Sequence, residues 1–129
     1  MNWEKDSVYE AVGGMLFFED LVGRFYARVE HDPVLRPLYP DDLGPAREHL
    51  TLFLAQYWGG PTTYSDERGH PRLRMRHSRF RVTTVERDAW FGAMTASLSE
   101  VVAAVGVDES LEGRFVDYFA TAADHLINA

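Results

Sequence analysis

Apolar side chains recur at helical steps along most of this chain. From Met15 to Glu30, Phe18, Val22, Phe25 and Val29 fall three and four residues apart, with Leu21 and Tyr26 beside them. Wound at 3.6 residues per turn, that spacing gathers the set onto one face, whereas a strand would scatter it over both. The segment therefore predicts an amphipathic helix that must bury its face against another element.

Breaks in the pattern mark the remaining helices. Ser7 and Glu10 stand at capping-box spacing and predict a short first helix that Gly13 and Gly14 end. The three prolines of "HDPVLRPLYPDD" allow only a short helical turn and force a compact corner presenting Leu38 and Tyr39. A third helix is expected from about Asp42 to Trp58, with Ala46, Leu50, Phe53, Leu54 and Tyr57 along one side. Residues 60–69 carry glycine, proline, threonine and serine without periodicity and read as an ordered loop.

A short helix is expected around Leu73 to Arg79. Thr83 with Glu86 forms a second capping box and opens a helix with Trp90, Met94, Leu98, Val101 and Val105 on one face, closed by Gly106. Asp108 caps the last helix, whose Leu111, Phe115, Tyr118, Phe119, Ala122 and Leu126 again follow the helical step. No strand, repeat or low-complexity tract stands out. The expectation is an all-α fold, one domain over residues 1–129.

Charge and composition exclude several function classes. A net charge of −7 argues against a nucleic-acid binder, because neutralising phosphates needs a surplus of lysine and arginine. The absence of cysteine removes disulfides, thiolate metal sites and cysteine nucleophiles, as is usual in a reducing cytosol. The start "MNWEKDSVYEAVGG" lacks the pattern of a signal peptide, and no stretch is apolar enough for a membrane span. Cytoplasmic localisation is expected.

Aromatics make up 13% of the chain, and at helical spacing most such rings are simply core. Tyr26, Tyr39 and Trp90 differ, because each sits on an inward face or at a buried corner while carrying a group that needs a hydrogen-bond partner. Their convergence would make a polar pocket in an apolar core.

Against the acidic background, "HPRLRMRHSRFRV" sets His70 and His77 among Arg72, Arg74, Arg76, Arg79 and Arg81. His70 precedes Pro71 in a loop and reads as structural. His31 and His125 lie at helix or chain ends, and His49 flanks the apolar side of the third helix. His77 shares one helix face with Leu73 and Phe80. No histidine pair is spaced to complete a zinc site with thiolates or carboxylates, and HExxH is absent. A single histidine suits haem, where the porphyrin supplies four ligands and the protein one imidazole. The haem propionates would give Arg76 a partner for charge-assisted hydrogen bonds. The competing reading makes the arginines a solvated face or a stripe by which a cofactor-free helical adaptor docks an acidic partner.

Taken together, "RFYARV", "YPDDLGPAREHL", "FLAQYWGGPTTYSDERGHPRLRMRHSRF" and "ERDAW" resemble the truncated haemoglobins of group II, also called the O type, from Tyr9 to His125. The resemblance implies a two-over-two helical sandwich, a shortened globin fold in which two antiparallel helix pairs clasp a b-type haem. It implies His77 as the proximal iron ligand and Tyr26, Tyr39 and Trp90 as distal hydrogen-bond donors to a bound diatomic. Ala46 falls where many globins have a distal histidine, Leu50 and Phe53 match apolar haem-facing positions, Phe80 follows the proximal histidine, and Tyr64 and Arg76 match propionate contacts.

Two departures stand out from the family pattern. His49 replaces the usual arginine or lysine that reaches a propionate, and Arg79 follows Ser78 where relatives often carry a proline. The expected ligands are oxygen, nitric oxide, carbon monoxide and peroxide. Slow oxygen release is expected, with nitric-oxide dioxygenase or peroxidase-like chemistry served by a separate reductase, in a protein that forms a homo-oligomer such as a dimer.

Overall fold

A computed structural model describes residues 5–68 and 81–127. Six α-helices and one 3-10 turn account for most of them, and no strand occurs among the described residues. They are α1 (Lys5–Ala11), α2 (Met15–His31), the 3-10 turn (Arg36–Leu38), α3 (Gly44–Tyr57), α4 (Thr63–Arg68), α5 (Thr84–Val105) and α6 (Glu109–Leu126). The short helix expected around Leu73 to Arg79 lies outside the described residues, as do His70, His77, Arg76 and Phe80.

The helices form a two-over-two sandwich. α2 packs on α3, α5 packs on α6, and the α2–α5 contact joins the two pairs. The seam is apolar: α2 buries Phe17, Phe18, Leu21, Val22, Phe25, Tyr26 and Val29, and α6 buries Leu111, Phe115, Phe119, Ala123 and Leu126. Phe17 widens the face expected for α2, since its ring reaches Phe115 with centroids 5.5 Å apart. Each such ring taken out of water contributes on the order of 2 kcal/mol. Outside the seam, Arg28 on α2 donates two hydrogen bonds to Glu100 on α5, at 3.0 and 2.8 Å, and one to the buried Ser97 hydroxyl at 3.2 Å.

The helix ends show which sequence signals act. Thr83 and Glu86 form the expected capping box: the Thr83 N–H donates to Glu86 Oε1 at 2.7 Å, and Thr83 Oγ1 accepts from the Val85 N–H at 3.2 Å. Asp108 caps α6 through the Ser110 N–H at 2.8 Å. Gly13 and Gly14, at φ 101° and 78°, turn the chain out of α1, a conformation that a side chain would oppose.

Four expectations are corrected. Ser7 lies inside α1, which begins by Lys5, so the Ser7–Glu10 pair is not its capping box. α3 begins at Gly44 rather than Asp42, because the Asp42 carboxylate stays outside and accepts from the Gly44 N–H at 2.9 Å. Within residues 60–69, Thr63–Arg68 is a helix rather than loop. The Thr62 hydroxyl meets Asp66 at 3.2 Å, and Gln56 of α3 clamps Ser65 by donating to its hydroxyl at 2.7 Å and accepting its N–H at 3.0 Å. Val105 is 51% exposed, because "VVAAV" is apolar all round and spacing cannot choose its face; Val101 and Val102 take the buried side.

No helix among the described residues is long and apolar enough to cross a membrane.

Candidate functional site: a polar aromatic cluster beside an open helix face

α3 has two faces with different fates. Toward α2, Thr51, Leu54 and Ala55 are buried. On the neighbouring face, Ala46, Leu50 and Tyr57 are half-buried, with Phe53 at 8% exposure between them. Ala46, Leu50, Phe53 and Tyr57 fall at steps of four, three and four, which lines them along a single stripe. The sequence reading set this stripe along one side of the helix, with Leu50 and Phe53 facing haem by resemblance. The described helices cover it only in part, which leaves an apolar wall suited to a flat hydrophobic group. His49 flanks that wall and is half-buried.

Three elements deliver the polar aromatics. α2 carries Tyr26, the corner after the 3-10 turn carries Tyr39, and α5 carries Trp90. Tyr26 is 6% exposed, while Tyr39 and Trp90 are half-buried. Phe25 packs between them edge-on, with its centroid 5.0 Å from Tyr26 and 5.8 Å from Trp90, and Phe119 supports Trp90 at 6.1 Å. Phe25 and Phe119 read as plain core residues in the sequence; their value as a scaffold for Trp90 shows only in three dimensions. Arg36, which no spacing singles out, lies against the same corner.

The cluster has a direction. Tyr39 hydrogen-bonds to both Tyr26 and Trp90. An indole N–H can only donate. The bond between the two phenols raises Tyr26 and lowers Tyr39. Both bonds centre on the Tyr39 hydroxyl. Burial, the largest effect, pushes Tyr39 up to about 12 despite these two bonds. Burial likewise pushes Tyr26 above the usual phenol range, reinforced by the neighbouring Tyr39 and the hydrogen bond to it. Both groups are neutral near pH 7 and keep their protons.

Tyr64 stands apart from this cluster. It is 2% exposed on α4, its ring 5.3 Å from Phe53 at the far end of the apolar stripe. α4 therefore brings Tyr64 to the same wall as Leu50 and Phe53, through the Gln56–Ser65 clamp. The expected contacts of His77, Arg76 and Phe80 lie outside the described residues.

Comparison with known proteins gives a consistent picture. The family described as "Bacterial-like globin" matches residues 7–127. The chain is 39% identical over 128 residues to Group 2 truncated hemoglobin YjbI of Bacillus subtilis, covering 99% of this chain and 93% of that protein. It is 51% identical to the hemoglobin of the thermophilic phototroph Chloroflexus aurantiacus, whose crystal structure covers 95% of this chain and 98% of its own at a TM-score of 0.89. The X-ray structure of the truncated oxygen-avid haemoglobin from Bacillus subtilis matches at a TM-score of 0.81 with 36% identity, covering 94% and 98% of the two chains.

Proposed function

The chain belongs to the bacterial-like globin family and, within it, to the group II truncated haemoglobins, haem proteins that bind diatomic gases such as oxygen; from this we propose that it holds a b-type haem on His77 and retains oxygen through Tyr39. Haem would supply the iron at which the gas binds. The half-covered stripe of Ala46, Leu50 and Phe53 fits one side of such a group, and the polar aromatics fit the end where a ligand would sit.

The observation that carries the reading is the convergence on Tyr39. A phenol has one proton and two acceptor positions. Tyr26 and Trp90 both hydrogen-bond to Tyr39; in our reading both donate to its oxygen, which leaves the Tyr39 proton for a ligand. Tyr26 and Trp90 then act chiefly by orienting Tyr39. Ala46, small and half-buried on α3, cannot donate and leaves room for a ligand to enter.

A neutral hydrogen bond contributes about 1 kcal/mol net, or about fivefold in a dissociation rate, and more in a dry pocket where the donor has no competing water. The arrangement therefore favours slow release of oxygen. Slow release makes a poor bulk carrier and a better reactor, since long-held oxygen can meet nitric oxide. We assign nitric-oxide dioxygenase or peroxidase-like chemistry on that basis, with electrons from a separate reductase. From the family resemblance, Phe80 is assigned to an apolar haem contact, and Arg76, Tyr64 and His49 to the propionate edge.

The test is the visible spectrum of the purified protein in the ferric form, after dithionite and under carbon monoxide, with His77→Gly alongside. An intense Soret band that shifts on reduction and on carbon monoxide, and is lost or strongly altered in His77→Gly, is the expected result. A folded protein with no Soret band even after addition of haemin overturns the proposal. An unchanged spectrum in His77→Gly overturns the ligand assignment alone.

A further inference from the structure

Tyr39 sits in a stretch without a regular hydrogen-bond ladder. Pro33, Pro37 and Pro40 lack a backbone N–H, so the corner between α2 and α3 has few donors of its own for its carbonyls. Arg36 supplies them. Its Nη1 donates to the Tyr39 carbonyl at 3.3 Å and to the Pro40 carbonyl at 2.9 Å, and its Nη2 donates to the Asp41 carbonyl at 2.9 Å. The Arg36 carbonyl in turn accepts the Tyr39 N–H at 3.2 Å, and the Arg36 N–H donates to the Asp32 carbonyl at 2.9 Å. Both backbone groups of Tyr39 are therefore held by one residue.

We propose that Arg36 is a positioning residue for Tyr39: by gripping the backbone on either side of that ring, it sets the direction in which the Tyr39 hydroxyl is presented. The inference rests on the haem reading for its functional consequence, but its geometry does not. A planar guanidinium can serve three successive carbonyls at once, whereas an ammonium is a point donor on a flexible stem. Lysine at this position keeps the charge and loses the span. The side chain thus works through hydrogen-bond geometry more than through charge.

The experiment compares Arg36→Met and Arg36→Lys with wild type in protein carrying ¹³Cζ-labelled tyrosine, loaded with carbon monoxide where haem is present. The Tyr39 resonance is assigned by its loss in Tyr39→Phe. In wild type it stays that of a neutral phenol at pH 11; in Arg36→Met it moves toward the ordinary tyrosine titration at about 10, and Arg36→Lys shows the same shift in reduced form. In the haem-loaded protein Arg36→Met releases oxygen about fivefold faster, the loss expected for one hydrogen bond. It also splits the C–O stretching band into two, and it adds nothing further when combined with Tyr39→Phe.

Melting temperatures alone falling, with the Tyr39 resonance, the C–O band and oxygen release all unchanged in both variants, would overturn the proposal and leave Arg36 a purely structural tie. Where Arg36→Met does not fold, Arg36→Lys carries the same readouts. A wild-type chain that takes up no haem sinks the haem reading, and the Tyr39 resonance still decides whether Arg36 positions that ring.

Discussion

The rings of Tyr26 and Tyr39 meet edge to face, centroids 5.5 Å apart at 84°, so that a residue in the middle of α2 and one on an irregular corner share a hydrogen bond. The contact ties the corner to the helix pair that carries the rest of the pocket. Because Trp90 also hydrogen-bonds to Tyr39, the three residues are not equivalent: on the proposed reading Tyr26 and Trp90 donate to Tyr39, which has a proton left to offer.

That inequality predicts unequal costs of deletion. Tyr26→Phe removes a donor and leaves the Tyr39 oxygen still satisfied by Trp90, at about 1 kcal/mol. Tyr39→Phe leaves the Tyr26 hydroxyl and the Trp90 N–H without their acceptor, each costing on the order of 1–3 kcal/mol where no substitute is found. Urea midpoints should fall in the order wild type, Tyr26→Phe, Tyr39→Phe, and oxygen release should be fastest in Tyr39→Phe. Equal midpoints for the two variants would mean that the hub assigned to Tyr39 is wrong.

Acid sensitivity should trace to the clamp between α2 and α5. The hydrogen bond from Arg28, assisted by Arg24, lowers Glu100 from 4.5 to about 2. A carboxylate whose folded value lies below its unfolded one adds stability above pH 4.5 and loses it as pH falls toward 2. Glu100→Gln should therefore lower the urea midpoint at pH 6, and the gap to wild type should close between pH 4.5 and 2. The carboxylate is exposed, so 0.5 M salt should shrink the gap at pH 6 as well. A gap that persists unchanged at pH 2 would locate the effect in packing.

The helical fold was legible because steps of three and four survive in the sequence wherever one face is buried, as in α2 and α6. It became illegible where polarity stops varying, as at Val105, or where a helix is short enough to be held by a neighbour, as α4 is by Gln56. The pocket aromatics Tyr26, Tyr39 and Trp90 could be named from buried polar groups needing partners. Their hierarchy could not, since it depends on which oxygen two donors reach. Arg36 was invisible for a related reason: its partners are backbone carbonyls, which leave no trace in side-chain spacing. The stripe of Ala46, Leu50 and Phe53 was visible as apolar, but pattern alone does not tell a face covered by protein from one left for a cofactor.

Helix capping gives a local prediction. Thr83→Ala removes the oxygen that accepts the Val85 N–H and the hydroxyl that donates to Glu86 Oε1, while the Thr83 N–H bond to Glu86 remains, costing about 1 kcal/mol. Amide exchange should accelerate at Val85 and its neighbours in the first turn of α5, while amides around Leu98 change only with global stability. Uniform acceleration along α5 would show that the cap governs the whole helix.

Two glycines should respond to alanine with opposite signs. At Gly23, inside α2, an added Cβ would lie 2.8 Å from Arg47 Nη2, and its three nearest neighbours beyond its own helix all belong to the Arg47 side chain. The far end of an exposed arginine can swing aside at little cost, while alanine in a helix interior is favoured over glycine by about 1 kcal/mol. Gly23→Ala should therefore raise stability by roughly 0.5–1 kcal/mol. At Gly60 the added Cβ would lie 2.5 and 2.6 Å from the Tyr9 ring and 2.8 Å from the Ala55 carbonyl. Neither the α3 backbone nor a ring stacked on Phe18 can yield cheaply, so overpacking should cost about 1–3 kcal/mol. Paired urea titrations decide both. A loss of stability at Gly23 would mean that the Arg47 guanidinium is fixed over α2 and contributes more there than the helix gains from alanine.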